Sequence, residues 1–463
     1  MGRPTVYPTG VTRYDPEKCS NGYTMFPTGQ GPVLIDMNGR ALHAWSKITG
    51  MAVKMLPGGS ILGSTENRTD ERMLLEQNDL TQLSWDGEVE WRFDNNETVM
   101  IDGVARSMAR LHHDFERAGC PAGYYTPNAE PALRNANTLL LSRTNLRVPE
   151  ISMHELLDDR IIEVSWDGQI VWDWKSSDHI DKLGYDAAAR LAIYRDPTLI
   201  GQQPDREPVG DWFHINCVST LGKNRFYDGG DQRFHPDNLI MGSRESNIMI
   251  IVSKASGRIA WRVGPDFADP ALKKLGQIIG QHHVHMIPDG LPGAGNILLF
   301  DNGGAAGYGA PDATSPFGNN VKRRHYSRVL EFDPVTLDLV WEYSGAVKTP
   351  RGENTLFADR FFSMFISSAQ RLPNGNTLIT EGAGGRIFEV TRDKEIVWEF
   401  VNPLTDTARP LNFEKTIYRA FRIPYHWVPQ LEQPDEIAVV PPHNDDFRVP
   451  GSFAIGDIGS VSV

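Results

Sequence analysis

The chain has 463 residues and is acidic, with 46 lysines and arginines against 59 aspartates and glutamates and a formal net charge of −13. This balance argues against a nucleic-acid partner and an anionic membrane surface, because both attract basic proteins. Charged residues make up 23% of the chain and aromatic residues 10%, which excludes a disordered protein, a coiled coil and a collagen. The 43 glycines, 31 prolines and 11 tryptophans favour an all-β protein rich in turns.

Targeting signals are not visible in the sequence. The first ten residues are polar and lack the apolar core of a signal peptide, and no apolar run approaches the about 20 residues of a membrane helix. The three cysteines are too few for a disulfide framework. We therefore expect a soluble, cytoplasmic protein with no membrane partner, or a periplasmic or secreted one if a signal peptide has been removed.

One short pattern recurs along the chain: an apolar strand, a turn containing Asp, Asn or Gly, and an alternating strand that ends in Trp. Its copies lie at residues 34–45, 83–91, 164–172, 252–261, 332–341 and 390–398. Asp-Gly and Asn-Gly between alternating strands are strong hairpin signals, so each copy predicts a β-hairpin. We expect the tryptophans to be packing residues.

A second pattern, an apolar strand after a Gly/Asn turn, alternates with the hairpins. Its copies lie at residues 56–64, 135–142, 235–243, 293–303 and 372–382. Together the patterns predict an all-β, six-bladed β-propeller with four-stranded antiparallel blades. We expect a single domain over residues 1–463, with blades over about 22–430 and a tail over 431–463. Long loops at 119–134, 176–211 and 304–326 are expected to roof one face, with a short helix over 181–194.

Histidine and arginine collect on the strand that follows each hairpin, which is the strand nearest the axis of a propeller. The polar residues at these positions are His112, His113, His214, Asn216, His282, His283, His285, Tyr418, Arg419 and Arg422. Alternation along a strand places His283 and His285 on one face and His282 on the other. Strands from different blades converge on the axis, so these residues are expected to line a central channel that attracts an anion.

Imidazole can act as a base or as a nucleophile, so we predict His282, His283 and His214 to be catalytic. The residues predicted to bind substrate are His112, His113, Asn216, His285, Arg244, Arg419, Arg422 and Tyr418. No cofactor is expected, since no zinc, calcium or nucleotide motif is present. The alternative is a divalent metal ion held by His113, His214, His283 and His285, because His-x-His on a strand can ligate zinc.

Several runs together resemble the arylsulfotransferase family, the bacterial aryl-sulfate sulfotransferases. They are HHDFERAGCPAGYY, DWFHINCVSTLG, GDQRFHPDNLIMGSRESN, GQHHVHMIPDGLPGAGNILLFDNGG, SSAQRLPNGNTLITEGAGGRIFEV and IYRAFRIPYHW. The resemblance extends over residues 22–429. It implies a six-bladed propeller that moves a sulfuryl group between phenols through a transiently sulfated histidine, with other histidines and an arginine holding the sulfate.

The resemblance also implies roles for particular positions. His214 in HIN and His282 in QHH match sulfate-site histidines of the family. The family's nucleophilic histidine is expected in a later blade, where residues 366–371 carry serines and glutamine. The family arginine expected beyond FDNG is replaced by Ala305, Ala306 and Gly307, and Arg328 follows further on. The covalent mechanism is therefore less secure than the fold.

Three functions remain open from the sequence. The first is an arylsulfotransferase-like enzyme acting on a small anionic aromatic substrate at the channel. The second is a lyase or hydrolase that uses a histidine base on a carboxylate-bearing substrate, with or without a metal. The third is a propeller that binds a ligand without catalysis.

Overall fold

The structure is a computed structural model that describes residues 9–50, 52–65, 67–69, 75–101, 104–197, 210–348, 354–356, 361–404 and 415–441. In the amino-terminal part the strands are β1 (Gly10–Tyr14), β2 (Tyr23–Thr28), β3 (Gly31–Ile35), β4 (Ala41–Ala44), β5 (Lys54–Met55), β6 (Ile61–Gly63), β7 (Asn67–Thr69), β8 (Leu75–Gln77), β9 (Asp79–Leu83) and β10 (Val89–Asp94).

The middle of the chain continues this strand-rich order. Its strands are β11 (Asn96–Ile101), β12 (Val104–Ala109), β13 (Leu111–Arg117), β14 (Thr138–Leu146), β15 (Leu156–Val164), β16 (Ile170–Lys175), β17 (Ile215–Thr220), β18 (Leu239–Ser243), β19 (Ile248–Val252) and β20 (Ile259–Val263). The helices here are α1 (Ala187–Arg195) and α2 (Arg225–Asp228).

The carboxyl-terminal part is also built of strands. They are β21 (His282–Met286), β22 (Ile297–Asp301), β23 (Ala306–Tyr308), β24 (Asn319–Lys322), β25 (Arg328–Phe332), β26 (Leu339–Ser344), β27 (Ala346–Lys348), β28 (Asn354–Leu356), β29 (Ser368–Arg371), β30 (Thr377–Glu381), β31 (Arg386–Val390), β32 (Ile396–Val401) and β33 (Phe421–Ile423).

Six antiparallel four-stranded sheets form the blades of a propeller, which confirms the predicted fold. From the axis outward the blades are β33-β2-β3-β4, β5-β6-β9-β10, β13-β14-β15-β16, β17-β18-β19-β20, β21-β22-β25-β26 and β29-β30-β31-β32. The predicted Trp hairpins are the outer two strands of each blade, and the histidine-bearing segments are the innermost strands.

The two ends of the chain close the ring. Strand β33 supplies the innermost strand of the first blade, where Thr24 pairs with Arg422. Strand β1 adds a fifth strand to the outer edge of the last blade, where Tyr14 pairs with Trp398. Both closures join segments from opposite ends of the sequence, so the first and last blades depend on each other.

Five of the six hairpin tryptophans donate a hydrogen bond to the next blade, and the indole N–H of Trp45 has no acceptor among the described residues. The indole Nε1–H of Trp398 donates to the carbonyl of Met37 at 2.8 Å, and that of Trp341 donates to Arg392 at 2.9 Å. Each acceptor lies at the outer hairpin turn of the following blade. The prediction that these tryptophans are packing residues is therefore confirmed.

The helix expected over 181–194 forms only from Ala187 onward. Asp186 caps it by accepting a hydrogen bond from the Ala189 backbone at 2.7 Å, and a 3-10 turn over Ser177–Lys182 precedes it. Asp186 fixes the start because its carboxylate satisfies an amide that the helix itself leaves unpaired. Within the described residues, no helix has the length and apolar character needed to cross a membrane.

Candidate active site

The backbone of the inner strands is unusual where the histidines lie. His113, His214 and His283 have positive φ angles of 52°, 56° and 53°. Such angles are uncommon outside glycine and often accompany functional sites. The pairing of β13 and of β21 with their neighbours also shifts register beside these residues. At these three histidines the side chains therefore do not follow the regular alternation between the two faces of a strand.

His113 and His214, from neighbouring blades, are in contact. Their ring centroids lie 4.6 Å apart in an edge-to-face arrangement. His113 is 9% exposed, and the side chain of His214 is 12% exposed, so both lie at the edge of the buried interior. The fold thus brings together two histidines separated by about a hundred residues.

Hydrogen bonds fix the tautomer of His113. His112 Nε2 lies 3.0 Å from the Ser142 carbonyl, which only accepts, so His112 Nε2 carries the proton in the neutral ring. His112 Nδ1 is then an acceptor, and it lies 2.9 Å from His113 Nδ1. His113 therefore donates from Nδ1 and has its lone pair on Nε2.

His214 is held by a buried carboxylate. Its Nδ1 lies 2.8 Å from Asp211 Oδ2, and that same oxygen accepts from Arg143 at 2.9 Å. Burial opposes the charge on Asp211, but the Arg143 and His214 charges hold the pKa of that carboxyl well below its usual value. Burial lowers the pKa of His214, and Asp211 partly offsets the shift. His214 is thus a neutral ring with its lone pair on Nε2 and an anion behind it.

His282 is held by Asn302, which directly follows the neighbouring strand β22, and by the backbone just before β21. Its Nδ1 lies 2.8 Å from Asn302 Oδ1 and 3.0 Å from the Gly280 carbonyl. The Asn302 amide donates to the carbonyls of Ser363 and Ile366, each at 2.8 Å, which orients its oxygen toward His282. Nδ1 therefore carries the proton. Burial, and next the Arg244 charge, lower the pKa of His282 to about 3.

Arg244 completes this cluster. It follows β18, its backbone amide donates to the His214 carbonyl at 2.9 Å, and its side chain is 13% exposed. Within the described part of the chain, its nearest carboxylate is Glu245 at 3.7 Å, and its guanidinium makes no hydrogen bond. Its charge lowers the pKa of both His214 and His282. A cation whose guanidinium is not used in hydrogen bonds among the described residues therefore lies near His214 and His282.

His283 and His285 form a separate, deeper group. Their rings lie 4.5 Å apart, and His285 Nε2 is 2.9 Å from the Tyr124 hydroxyl. His285 Nδ1 lies 2.9 Å from the His283 carbonyl. Burial, and next the Arg419 charge, hold the pKa of His283 well below its usual value. His282 lies apart from this pair, as the alternation along the strand predicts.

Arg419 belongs to a buried group of three charges near this deeper pair. It donates to Asp114 Oδ2 at 2.9 Å, while Lys54 contacts Asp114 Oδ1 at 2.7 Å. These side chains are at most 4% exposed. Some of the guanidinium N–H donors of Arg419 are therefore already used in the ion pair with Asp114.

The remaining predicted residues occupy different surroundings. Tyr418 lies beside the cluster, with its ring centroid 6.2 Å from that of His113. Asn216 is buried and donates to the Gln281 carbonyl at 2.7 Å. Arg422 lies over the Trp398 ring and 3.3 Å from Glu389, within the interface of the first and last blades and away from the histidines.

Several residues of the cluster were not predicted from the sequence. Asp211 stands three residues before His214 in DWFH, a spacing that could have drawn attention to it. Arg143 and Asn302 carry no sequence signal, because they reach the histidines only through packing across strands. Asp159, 3.4 Å from His112, is a further example, and burial raises its pKa well above the usual value.

The alternative metal site receives no support from the geometry. Among the residues that the structure describes, no three His, Cys, Asp or Glu side chains are grouped so that they could hold a metal ion. The four histidines proposed for it separate into the pair His113–His214 and the pair His283–His285.

Comparison with known proteins gives one match at the level of a family. The family model described as arylsulfotransferase (ASST) matches residues 130–419. No curated protein matches the chain at a significant level. Solved structures that resemble it include a protein of unknown function from Bacteroides caccae, at 11% identity and a TM-score of 0.42, covering 87% of this chain and 99% of that chain. The virginiamycin B lyase from Staphylococcus aureus has 11% identity and a TM-score of 0.34, with 87% and 88% covered.

Proposed function

This chain belongs to the arylsulfotransferase family, and we propose that it transfers a sulfuryl group from an aromatic sulfate ester to a phenol at the cluster of His113, His214, His282 and Arg244. One observation carries the proposal. Three imidazoles on successive blades each have a proton fixed on Nδ1 and a lone pair on Nε2, and Arg244, whose guanidinium makes no hydrogen bond within the described residues, lowers the pKa of two of them, His214 and His282. Such a set can bind an anion and also attack it.

We assign the nucleophile to His282. Its ring is neutral at pH 7, because burial and Arg244 lower its pKa to about 3. Its Nδ1–H is held by Asn302 and Gly280, which supports the positive charge that develops when Nε2 attacks. A neutral, oriented imidazole is the form that nucleophilic catalysis requires.

The reaction then takes two balanced steps. In the first, His282 Nε2 forms a bond to sulfur as the bond between sulfur and the donor phenol oxygen breaks, and the donor leaves as a phenolate that takes a proton from solvent. In the second, the acceptor phenol gives up its proton, its oxygen bonds to sulfur, and the bond from sulfur to Nε2 breaks. Arg244 holds the sulfuryl oxygens throughout, whereas His113, with its proton on Nδ1 and its lone pair on Nε2, can only accept a hydrogen bond from the hydroxyl of the acceptor phenol.

His214 is the best candidate for the proton transfers. Asp211 lies against its Nδ1 at 2.8 Å and stabilises the imidazolium that forms when Nε2 takes a proton. A carboxylate behind a histidine performs this role in many acyl-transfer sites. His214 then releases this proton to solvent, which offsets the proton taken up by the donor phenolate and returns His214 to its neutral form.

The test is the purified protein with 4-nitrophenyl sulfate and phenol. We expect nitrophenol release that requires phenol, and with the donor alone a sulfuryl group on the peptide that contains His282. His282→Ala should abolish both signals, whereas His235→Ala, at a partly exposed histidine, should retain them. Nitrophenol release that continues unchanged in His282→Ala would refute the assignment. Release without phenol, and without a sulfated peptide, would favour hydrolysis.

A further inference from the structure

Three innermost strands end near an arginine that stacks on the hairpin tryptophan of the preceding blade. The guanidinium carbon lies 4.7 Å from the ring centroid for Arg117 over Trp91, 5.7 Å for Arg371 over Trp341 and 4.6 Å for Arg422 over Trp398. The three sites are therefore equivalent by the repeat of the propeller, and their differences can be compared directly.

Two of these arginines have a carboxylate partner from the preceding blade. Arg371 pairs with Glu331 at 2.7 Å, and Arg422 pairs with Glu389 at 3.3 Å. Each glutamate stands directly opposite the hairpin tryptophan of its blade in the strand register. In both blades, therefore, the negative charge that neutralises the stacked arginine comes from the same position of the repeat.

The third arginine lacks this partner. The residue opposite Trp91 is Gln82, which is neutral. Arg117 is 2% exposed, and none of its three guanidinium nitrogens has a hydrogen-bond partner among the described residues. Burial alone lowers the pKa of Arg117 to about 10, so it remains charged at neutral pH. A buried, unpaired charge is strongly unfavourable unless something neutralises it.

A small cavity lies against this arginine. Its volume is about 10 Å³, which is about the least that accommodates one particle of the size of a water molecule. Arg117 and Lys54 line it, and so does Trp427, whose indole Nε1–H is buried and also has no acceptor. None of the described residues that line the cavity is acidic. Two unsatisfied donors, one of them cationic, therefore border a space of ionic size.

We propose that this cavity binds one monatomic anion such as chloride, held by the guanidinium of Arg117 and the indole Nε1–H of Trp427. The anion takes the place of the glutamate that neutralises the equivalent arginines and stabilises the interface between the second and third blades. Arg117 ends β13, whereas His113 lies near its beginning. The site is therefore distinct from the histidine cluster and independent of the proposed reaction.

The experiment compares thermal unfolding of the full chain in chloride and in gluconate at constant ionic strength. We expect the unfolding midpoint of the native protein to rise with chloride in a saturable way, by about 2 °C or more, because an ion that binds only the folded state stabilises it. Gln82→Glu restores the repeat's own counter-charge and should make the midpoint independent of chloride. Gln169→Glu adds the same charge at an exposed turn and should leave the chloride effect intact.

A second measurement locates the ion directly. Crystals of the native protein soaked in bromide should show an anomalous scattering peak within hydrogen-bond distance of the Arg117 guanidinium. A chloride effect of equal size in the native protein and in Gln82→Glu would overturn the proposal. The absence of a bromide peak at Arg117 would also overturn it, and would mean that water fills the cavity.

Discussion

His112 and His113 are consecutive on one strand, yet their Nδ1 atoms lie 2.9 Å apart. Neighbouring residues of a regular strand point to opposite faces, so this contact needs a break in the alternation. The positive φ of 52° at His113 provides it. As a result the buried His112 fixes the orientation and the tautomer of the more exposed His113.

The first prediction concerns this pair. His112→Phe keeps an aromatic ring but removes the acceptor for His113 Nδ1–H, so His113 can take the wrong tautomer. We expect kcat for sulfuryl transfer to fall by about 10²-fold, a typical loss for a misplaced general acid or base, with a smaller change in KM. Full activity in His112→Phe would show that catalysis does not depend on the hydrogen bond between His113 and His112. His235→Ala, at a partly exposed histidine, serves as the control.

The second prediction concerns Asn302, which accepts from His282 Nδ1–H at 2.8 Å. Asn302→Leu removes this acceptor and should lower kcat by about 10²-fold. Asn302→Asp keeps an oxygen toward His282 and should restore part of the rate. Initial rates with 4-nitrophenyl sulfate measure the effect, and circular dichroism checks the fold. Equal losses in both variants would indicate that Asn302 acts only through Ser363 and Ile366.

The third prediction concerns pH. The reaction needs neutral His282, whose pKa is lowered to about 3 by burial and by Arg244. The rate should therefore be lost only at acidic pH, as protonation removes the lone pair. Arg244→Met removes a positive charge, so the pKa of His282 rises and the acid limb of kcat/KM moves to higher pH. Arg258→Met, at an exposed hairpin turn, should leave the limb where it is. A limb unmoved in Arg244→Met would contradict the assignment of His282.

The fourth prediction concerns the buried charges around Asp114. Asp114→Asn leaves Lys54 and Arg419 buried without their shared counter-charge, and it should lower the free energy of unfolding by about 3–5 kcal/mol. Urea unfolding measures the difference. Asp338→Asn, which removes the partner of Lys274 in an exposed pair, should change little. Similar losses for the two substitutions would mean that the buried ion pairs of Asp114 contribute no more to the free energy of unfolding than an exposed ion pair does.

The fifth prediction concerns the closure of the ring. Trp398→Phe keeps most of the apolar surface but removes the hydrogen bond to the Met37 carbonyl. We expect a loss of about 1 kcal/mol in the free energy of unfolding, the usual net value of one buried hydrogen bond. A midpoint equal to that of the native protein would show that packing alone holds the first and last blades together.

Much of the architecture was readable from local patterns. The Asp-Gly and Asn-Gly turns predicted the outer hairpins, because a turn's preference depends only on a few adjacent residues. The tryptophans at the strand ends were predicted to be packing residues, whereas their hydrogen bonds to the next blade are visible only in the structure. The helix expected at 181–194 was placed too early, since capping by Asp186 delays its start to Ala187.

The candidate site could be predicted only in part from the sequence. The sequence grouped His214, His282 and His283 as catalytic, but their positions differ: His214 and His282 lie with Arg244, and His283 packs on His285. Alternation along the strand separated His282 from His283, but the sequence pattern could not show that His214 and His282 both lie near Arg244, because that depends on contacts between blades.

The sequence by itself determined that this protein is an acidic, all-β propeller of six repeats with histidine on its inner strands, since hairpin signals and strand alternation are local properties. Only the tertiary structure decided which imidazoles meet, which nitrogen of each carries the proton, and that Arg117 is left without the glutamate given to Arg371. Those features depend on contacts across blades, where the distances are set by the packing of the whole ring and not by any short segment of the chain.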